Sequence, residues 1–459
     1  MNPIRTSNAS ITFYGGAGTV TGANFLLTLP SVKILIDCGL TQGNEYCAEC
    51  NYEPFPYSPG SIDFLFVTHA HADHIGRIPR LAKQGFTGVI VSTPATRELS
   101  EIMLSDAVNL LALEAKRAGK EGLYEKEDIA KALSLWKTAE YGDPVPLLGE
   151  ASAVFKDAGH ILGSAMVEFE LSGKKIVFTG DLGNSPSLLL HDTEKITDAD
   201  YIVMESVYGN RNHESRDTRV SLLHEAIESV AARKGVLLIP SFSIERTQEI
   251  LYVINNLVEE GIVPKLPVFL DSPLAGKVTD IFKRYSHLFN ERVQKEIQKG
   301  DDVFNFPGFF RAETALESKH ILNAPAPKII IAGSGMSVGG RVLLHEKHYL
   351  SEAKNILLLV GYQGVGTLGR NIEDGLKKVN IFGETIPVRA EVRVIRAFSA
   401  HKDSDGLVEF VGNSGERLQK VFVTMGEPKA SLFLVQRLRE YLGVDAVSPE
   451  KGETVSLDI

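Results

Sequence analysis

The sequence has few cysteines, no long apolar run and no surplus of basic residues. Its 459 residues include only Cys38, Cys47 and Cys50, too few for a disulfide framework and in keeping with a reducing cytoplasm. Cys47 and Cys50 form a lone CxxC, for which an ordinary loop is favoured over a zinc or redox site. No segment approaches the roughly 18–20 apolar residues that cross a bilayer, and residues 1–6 lack the apolar core of a signal peptide. We therefore expect a cytoplasmic protein without membrane contact.

The charge balance narrows the function classes further. A net charge of −10 argues against a globally basic nucleic-acid binder. It leaves a nucleic-acid enzyme open, because bound cations and a few arginines in one groove set the local field. A hydrophobic content of 44% and a charged content of 23% over this length predict two or three ordinary globular domains.

Residues 64–74 are the most informative stretch, because an apolar strand there runs into four side chains of ligand type. His69, His71, Asp73 and His74 fall within six positions. Imidazole and carboxylate are the groups that zinc and harder divalent metals accept. Three histidines and an aspartate seldom coincide beside a buried strand in a merely solvated loop. We interpret the stretch as part of a metal site that needs further ligands from elsewhere.

Acids and histidines also follow other predicted strands. His160 lies in a Gly-flanked turn, whereas Asp37, Asp181 and Glu205 each end an apolar segment. Each alone is typical of a turn. After the His-rich stretch, His160 and Asp181 become candidates for the missing ligands, and Asp37 for a carboxylate that orients a ligand imidazole. Loops at one edge of a sheet often build a site in this way.

From about residue 210, strands and helices alternate, which predicts a parallel, Rossmann-like sheet. No Walker loop is present, and the Gly-rich segment Gly15–Gly22 lacks the GxGxxG spacing, so it is interpreted as a hairpin loop. In the first half of the chain, apolar residues at helical spacing predict helices over 95–118 and 125–139. Four residues of the second half, near loop or helix starts, are candidates for phosphate contacts, although charges there are more often solvated: Arg246, Ser334, Arg341 and Arg370.

Together, these motifs resemble the metallo-β-lactamase superfamily and, within it, the β-CASP nucleases. The segment from His69 to His74, with His160 and Asp181, resembles the shared metal motifs, and Asp37 matches the first motif. Further segments resemble β-CASP motif A, the inserted domain and motif B, in that order: Glu205–Arg211, Pro240–Glu249, Asp271–Ala275, Gly333–Met336, Gly339–Arg341, Gly361–Gln363, Gly366–Arg370 and Phe398–His401. The resemblance covers nearly the whole chain and is closest to the RNA-processing branch, similar to the cleavage and polyadenylation endonuclease subunit and its bacterial and archaeal relatives.

The resemblance implies an α/β fold, an αββα sandwich interrupted by a Rossmann-like β-CASP domain. Residues 1–208 and 396–459 would form the two parts of the metallo-β-lactamase domain, and residues 209–395 the insertion. The resemblance also implies a zinc-dependent ribonuclease in RNA processing or decay, acting on single-stranded RNA as an endonuclease, with 5′-exonuclease activity as a further option. The expected partner is single-stranded RNA, and the chain is also a candidate for a homodimer.

The same resemblance assigns roles to the site residues. One zinc ion would take His69, His71 and His160, a second would take Asp73 and His74, and Asp181 would bridge them. His401 would be the general acid, with Glu205 holding its imidazolium form. Asp73, Glu205 and His401 would thus be the residues closest to catalysis.

One position departs from the pattern. The branch carries His-Gly-Glu after a short strand some twenty residues beyond motif B, and that histidine is the last ligand of the second zinc. Here Met425, Gly426 and Glu427 stand in its place, and no histidine follows His401. A thioether is a poor ligand for Zn²⁺, so the second site is expected to be weak or partly occupied. We hypothesise that Met425→His raises zinc content and ribonuclease activity.

Three alternatives stay open. The first is a metal-poor, catalytically weak RNA-binding or scaffold homologue, which the loss of one ligand makes credible beside the preferred ribonuclease. The DNA-directed branch of the family also lacks histidine at this position, which keeps a DNA nuclease in view. A small-molecule ester or thioester hydrolase would share the metal residues but would leave residues 210–390 unexplained.

Overall fold

The structure, a computed structural model, describes residues 8–42, 49–213 and 218–459. The prediction for the CxxC segment concerns Cys47, which lies outside the described residues. Cys50 begins a single 3₁₀ turn, Cys50–Tyr52. The chain divides into two compact units. The first comprises Met1–Ser185, His191–Asn212 and His401–Ile459, and the second comprises Pro186–Leu190 and His213–Ala400.

The regular elements up to residue 204 belong to the first unit. They are β1 (Asn8–Gly15), β2 (Asn24–Thr28), β3 (Lys33–Ile36), β4 (Phe64–Phe66), α1 (Ala72–Ile75), α2 (Ile78–Lys83), β5 (Val89–Ser92), α3 (Pro94–Arg117), α4 (Lys126–Ser134), β6 (Trp136–Thr138), β7 (Pro144–Pro146), β8 (Ser152–Asp157), β9 (Ala165–Leu171), β10 (Lys174–Phe178) and β11 (Tyr201–Met204).

The elements from residue 218 to residue 395 belong to the second unit. They are α5 (Thr218–Ala232), β12 (Val236–Pro240), α6 (Arg246–Glu259), β13 (Val268–Asp271), α7 (Pro273–Arg284), α8 (Glu291–Gln298), β14 (Phe309–Arg311), α9 (Ala315–Asn323), β15 (Lys328–Ala332), α10 (Val342–Tyr349), β16 (Ile356–Val360), α11 (Leu368–Glu373), β17 (Lys378–Ile381), β18 (Glu384–Pro387) and β19 (Glu391–Ile395).

The last elements return to the first unit. They are α12 (Ser404–Gly412), β20 (Lys420–Val423), α13 (Pro428–Leu442), β21 (Ala446–Val447) and β22 (Thr454–Asp458).

The first unit is a sandwich of two sheets between helices. Its strand orders are β22-β1-β2-β3-β4-β5-β6 and β21-β20-β11-β10-β9-β8-β7. Phenylalanines from both inner faces fill the space between the sheets, as when Phe66 of β4 meets Phe169 of β9 edge to face at 5.1 Å. Outside the second sheet, Leu407 of α12 and Leu434 of α13 are buried against β11 and β20. Helices α2, α3 and α4 pack together, and α3 contacts β6 at the edge of the first sheet. This helix–sheet–sheet–helix arrangement confirms the expected fold class.

The second unit is built on a parallel sheet of order β14-β13-β15-β12-β16-β19, in which the paired strands all run parallel. Strands β12, β15 and β16 are buried along their whole length, as is usual for a parallel sheet covered on both faces. The antiparallel hairpin β17–β18 stands apart from this sheet. The predicted Rossmann-like character of this region is confirmed.

The prediction of one helix over 125–139 is wrong at its C-terminal end. Helix α4 stops at Ser134, and Trp136 begins strand β6, which pairs in parallel with β5. The indole N–H of Trp136 donates to Oγ of Ser92 at 2.9 Å. Residues 136–138 therefore form a strand despite their helical spacing of apolar residues, because they pair with β5 and bury the ring of Trp136. The helix predicted over 95–118 is confirmed as α3. Within the described residues, no helix is long and apolar enough to span a membrane.

Candidate metal centre

The candidate site lies in the first unit, where several strands of the two sheets end. Strands β3 and β4 are parallel, as are β10, β11 and β20. Each leads into a residue singled out from the sequence: Asp37, His69, Asp181, Glu205 and Met425. Parallel strands bring their C-terminal ends to the same edge of a sheet, so short loops suffice to gather these side chains.

Four side chains converge in a first ligand group. His69, His71, His160 and Asp181 each offer one atom, and these atoms lie within 4.8 Å of one another. Nδ1 of His71 is 3.0 Å from Nε2 of His69 and 3.3 Å from Nε2 of His160. Oδ2 of Asp181 is 3.4 Å from Nε2 of His69 and 3.6 Å from Nε2 of His160. Neighbouring ligands of a tetrahedral zinc ion are about 3.3 Å apart, so this group fits one divalent ion.

Electrostatics prepare two of these histidines to bind a cation. Burial, with help from neighbouring imidazoles, lowers the pKa of His71 and His160 well below the ordinary range. The neutral ring is the form with a free lone pair, and it is the form that coordinates a metal.

A second ligand group adjoins the first and shares Asp181. Nε2 of His74 lies 3.5 Å from Oδ1 of Asp181 and 3.8 Å from Oδ2 of Asp73. Both Nε2 of His74 and Oδ1 of Asp181 are buried and lack a hydrogen-bond partner among the described residues. Such atoms are expensive to leave unsatisfied. A second cation held by Asp73, His74 and Asp181 would satisfy them.

Asp37 fixes the orientation of His74 from behind. Its Oδ1 accepts from the backbone N–H of Thr68 at 2.8 Å, and its Oδ2 accepts from Oγ1 of Thr68 at 2.8 Å and from Nδ1 of His74 at 2.7 Å. With Nδ1–H donated to a carboxylate, Nε2 of His74 presents its lone pair toward Asp181. The role of Thr68 could not be predicted from the sequence, because a threonine before a metal motif is not a typical ligand.

Buried Glu205 and partly exposed His401 form an acid pair beside the ligands. Nδ1 of His401 is 3.1 Å from both carboxylate oxygens of Glu205, and Oε1 of Glu205 accepts from the backbone N–H of Leu182 at 2.6 Å. Burial favours a neutral His401, but the Glu205 carboxylate outweighs it and raises the pKa of His401 to about 9. The His401 ring lies 4.6 Å from the ring of His160. A protonated imidazole thus stands at the margin of the first ligand group.

Met425 does not resemble a ligand in its surroundings. Its backbone N–H donates to the carbonyl of Gly16 at 2.6 Å, and only 2% of the residue is exposed. Its sulfur lies so close to Gly16 that a Cβ there would approach within 2.4 Å. The side chain belongs to the core between the sheets, together with Phe25, and Met425 lines a small cavity that His74 and Asp37 also line.

The four phosphate candidates are in the second unit and are not brought into the ligand groups. Oγ of Ser334 accepts from the backbone N–H of Val338 at 3.1 Å within its own loop. The three arginines each pair with a carboxylate of their own unit; the pairs are Arg246–Glu249, Arg341–Asp271 and Arg370–Asp374.

Arg246 is the phosphate candidate with the least accessible surroundings. It is buried and its guanidinium also lies over the ring of Phe398, 5.8 Å from the centroid. These contacts hold the first turn of α6 in place and count against a phosphate contact by this side chain. Arg370 is partly exposed, so its phosphate role remains a proposal.

Known proteins resemble this chain along most of its length. Family models match it at residues 20–226 (metallo-beta-lactamase superfamily), 247–372 (Beta-Casp domain) and 385–449 (Zn-dependent metallo-hydrolase RNA specificity domain). Ribonuclease TTHA0252 of Thermus thermophilus is 38% identical over 421 residues, which cover 92% of this chain and 94% of the relative. The chain is a β-CASP member of the metallo-β-lactamase superfamily. Membership implies a bound divalent metal, and each of the two ligand groups of this β-CASP protein fits one such ion.

Other relatives agree with the family. Transcription termination factor FttA of Methanosarcina mazei is 32% identical over 97% of this chain and 71% of its own length. An RNase J-like protein of Methanocaldococcus jannaschii is 31% identical over 96% of this chain and 98% of its own length. A crystal structure of a protein of unknown function from Enterococcus faecalis V583 superposes with a TM-score of 0.59 and 13% identity, over 98% of this chain and 100% of its own. That likeness concerns the fold alone.

Proposed function

We propose that this β-CASP protein is a zinc-dependent ribonuclease that hydrolyses phosphodiester bonds of single-stranded RNA, with endonucleolytic cleavage as its main activity. The observation that carries the proposal is the placement of one acid pair, Glu205 and His401, against a group of four metal-ligand atoms. The names of the relatives support RNA as the substrate. A cytoplasmic location fits that substrate, and the assembly state, including a homodimer, is open to direct measurement.

The choice of zinc rests on the donors. Three imidazole nitrogens and one carboxylate in the first group are a typical zinc set. The second group has one imidazole and two carboxylates, a harder set that holds zinc less well. We therefore propose tight binding at His69, His71, His160 and Asp181, and weaker binding at Asp73, His74 and Asp181. Bound zinc would polarise water and neutralise charge that develops on a phosphodiester.

The acid pair gives the chain its own part in the chemistry. Because Glu205 holds Nδ1 of His401, the proton on Nε2 is the one that a leaving oxygen can receive. The raised pKa of His401 keeps that proton in place at neutral pH. Asp37 acts indirectly: it binds Nδ1 of His74 and so orients that ring toward Asp73 and Asp181.

The test compares labelled single-stranded RNA and DNA of one sequence, with metal content measured on the same samples. The wild type should cleave RNA in a chelator-sensitive manner. Asp181→Ala should lose both metal and cleavage, whereas His401→Ala should keep its metal and lose about 10²- to 10⁴-fold in rate. Preferential cleavage of DNA would replace the proposal with a DNA-directed nuclease.

The packing of Met425 favours one second candidate, a metal-poor RNA-binding protein with weak catalysis. Its thioether is committed to the core beside Gly16, so the second ligand group has no replacement for the family's last histidine at this position. Tight RNA binding by wild type, without cleavage at full occupancy of the first group, would support this candidate over the ribonuclease.

A further inference from the structure

One segment of backbone connects the metal ligands to the acid pair. After Asp181, the backbone N–H of Leu182 donates to Oε1 of Glu205 at 2.6 Å, and the N–H of Gly183 donates to the carbonyl of Ala158 at 2.7 Å. Ala158 opens the loop that carries His160. The segment that follows the shared ligand Asp181 therefore fixes the distance between the first ligand group and Glu205.

Lys402 attaches His401 to this same segment. Gly183 and His401 form an antiparallel bridge, and the backbone N–H of Lys402 donates to the carbonyl of Leu182 at 2.9 Å. The ammonium of Lys402 then donates to the carbonyl of Gly183 at 2.8 Å and approaches Oγ of Ser185 at 3.4 Å. The backbone and the side chain of Lys402 therefore bind two consecutive carbonyls, those of Leu182 and Gly183, in the segment opposite His401.

The segment after Asp181 is tightly packed. A Cβ on Gly183 would approach the carbonyl oxygen of Gly159 within 1.9 Å, so the segment passes in direct contact with the His160 loop. Lys402 itself is only 9% exposed. Burying an ammonium costs more free energy than burying an apolar side chain of the same length, and only its hydrogen bonds offset that cost. Here those bonds go to the backbone opposite His401.

We propose that Lys402 is a positioning residue that holds His401 against Glu205 by tying it to the segment after Asp181. The proposal deepens the proposed function and rests on it, because a misplaced His401 would deliver its proton poorly. A shift of about 1 Å in a catalytic group lowers a rate by as much as about a hundredfold.

The experiment uses the full chain loaded with zinc and four variants: Lys402→Met, Lys402→Arg, His401→Ala and the double variant Lys402→Met/His401→Ala. Lys402→Met should lower kcat roughly tenfold or more and leave KM for RNA within about twofold. Lys402→Arg should restore part of kcat, because its guanidinium can reach the same carbonyl. In the His401→Ala background, Lys402→Met should have no further effect, since residues that act as one unit are not additive.

Lys328→Met is the matched control. Lys328 is also buried, and its ammonium also donates to two backbone carbonyls, those of Ile321 and Ala324, but in the second unit. Its replacement should lower the melting temperature and leave kcat unchanged. A Lys402→Met protein that melts earlier with unchanged kcat, or whose loss multiplies with that of His401→Ala, would overturn the proposal.

A crystal structure of Lys402→Met gives a readout that does not depend on activity. The imidazole of His401 should lie displaced from the Glu205 carboxylate, with the first ligand group intact. An unmoved His401 overturns the positioning role even if wild type proves not to cleave RNA. Failure of the proposed function has its own signature, which is a zinc-loaded wild type that leaves RNA uncut.

Discussion

At the scale of single residues, we expect position 425 to influence how many metal ions the site holds. Met425→His is expected to raise zinc content toward two per chain and to raise ribonuclease activity, because an imidazole would replace a thioether next to the cavity that adjoins His74. Metal analysis after dialysis against a trace of zinc checks the first expectation, and RNA cleavage the second.

Met425→Leu is the control for this change, because it keeps an apolar side chain beside Gly16 and offers no ligand. It should leave zinc content at the wild-type value. If wild type already holds two zinc ions and Met425→His alters neither content nor rate, the thioether is irrelevant to the metal centre.

His401 sets a second expectation, on pH. Its pKa of about 9 comes from Glu205, against the effect of burial. Only the protonated ring can donate, so kcat should hold through neutral pH and decline as the pH rises through about 9. By linkage, the raised pKa of His401 contributes stability that is fully present below the ordinary histidine pKa and is lost as the pH rises to about 9.

Glu205→Gln tests the cause. Without this carboxylate, burial is opposed only by the more distant charges of Asp181 and Asp73, so the pKa of His401 falls and the decline in kcat should move to lower pH. Profiles of kcat against pH at saturating zinc would measure the shift. An alkaline limb at the same pH in both proteins would remove Glu205 from the account.

The sequence predicted which side chains converge in the two candidate ligand groups, because imidazoles and carboxylates after apolar strands are rare by chance. It could not identify Thr68, the backbone N–H of Leu182 or Lys402. A hydroxyl, a peptide group and a lysine occur everywhere, and their roles appear only when residues far apart in the chain meet. The same limit applies to Arg246: its position at a helix start suggests a phosphate contact, whereas its burial and its pairing with Glu249 appear only in the folded chain.

At the scale of elements, periodicity located α3 well and overran at the end of α4. Helix α3 has local reasons for its start, with Pro94 in its first turn and Oγ1 of Thr93 accepting from the backbone N–H of Thr96. The end of α4 has a tertiary reason, the pairing of Trp136 with the edge of β5. Local signals can be read from the sequence, whereas the need of a distant strand for a partner cannot.

The end of β8 carries a further expectation. Asp157 precedes the His160 loop and its Oδ1 accepts from the backbone N–H of Gly159 at 2.8 Å. Burial, assisted by Glu194, raises the pKa of Asp157 to about 7 from an ordinary 3.8. The unfolded chain thus ionises first as the pH rises, so the stability present at low pH is lost progressively up to about pH 7.

Asp157→Asn should remove this loss, because the amide oxygen still accepts from Gly159 and never ionises. Its melting temperature relative to wild type should be higher at pH 8 than at pH 4. Asp143→Asn, at an exposed position of the same unit, should show no such trend. An equal difference at both pH values would mean that folding does not raise the pKa of Asp157.

At the scale of the whole molecule, fold and family follow from the sequence because each motif belongs to one architecture. The order of strands could not be predicted, since β20 joins β11 across more than two hundred intervening residues. The prediction of a split metallo-β-lactamase domain, with bounds at residues 208 and 395, stays a proposal. The net charge of −10 means that RNA must be drawn to a local field, to which bound zinc would contribute.

Removal of the metal tests how far the stability of the chain depends on it. Chelation should lower the melting temperature, because it leaves Nε2 of His74 and Oδ1 of Asp181 buried without partners. Zinc at a hundredfold excess over its Kd stabilises a protein by about 2.7 kcal/mol, and each kcal/mol shifts the melting temperature by about 2–4 °C in a unit of this size. Calorimetry with and without chelator would measure it. Asp181→Ala should lose the zinc-dependent shift, since both ligand groups share that carboxylate, while His401→Ala should keep it. A chain that releases all its metal with an unchanged melting temperature would show that the ligand groups are not coupled to the stability of the fold.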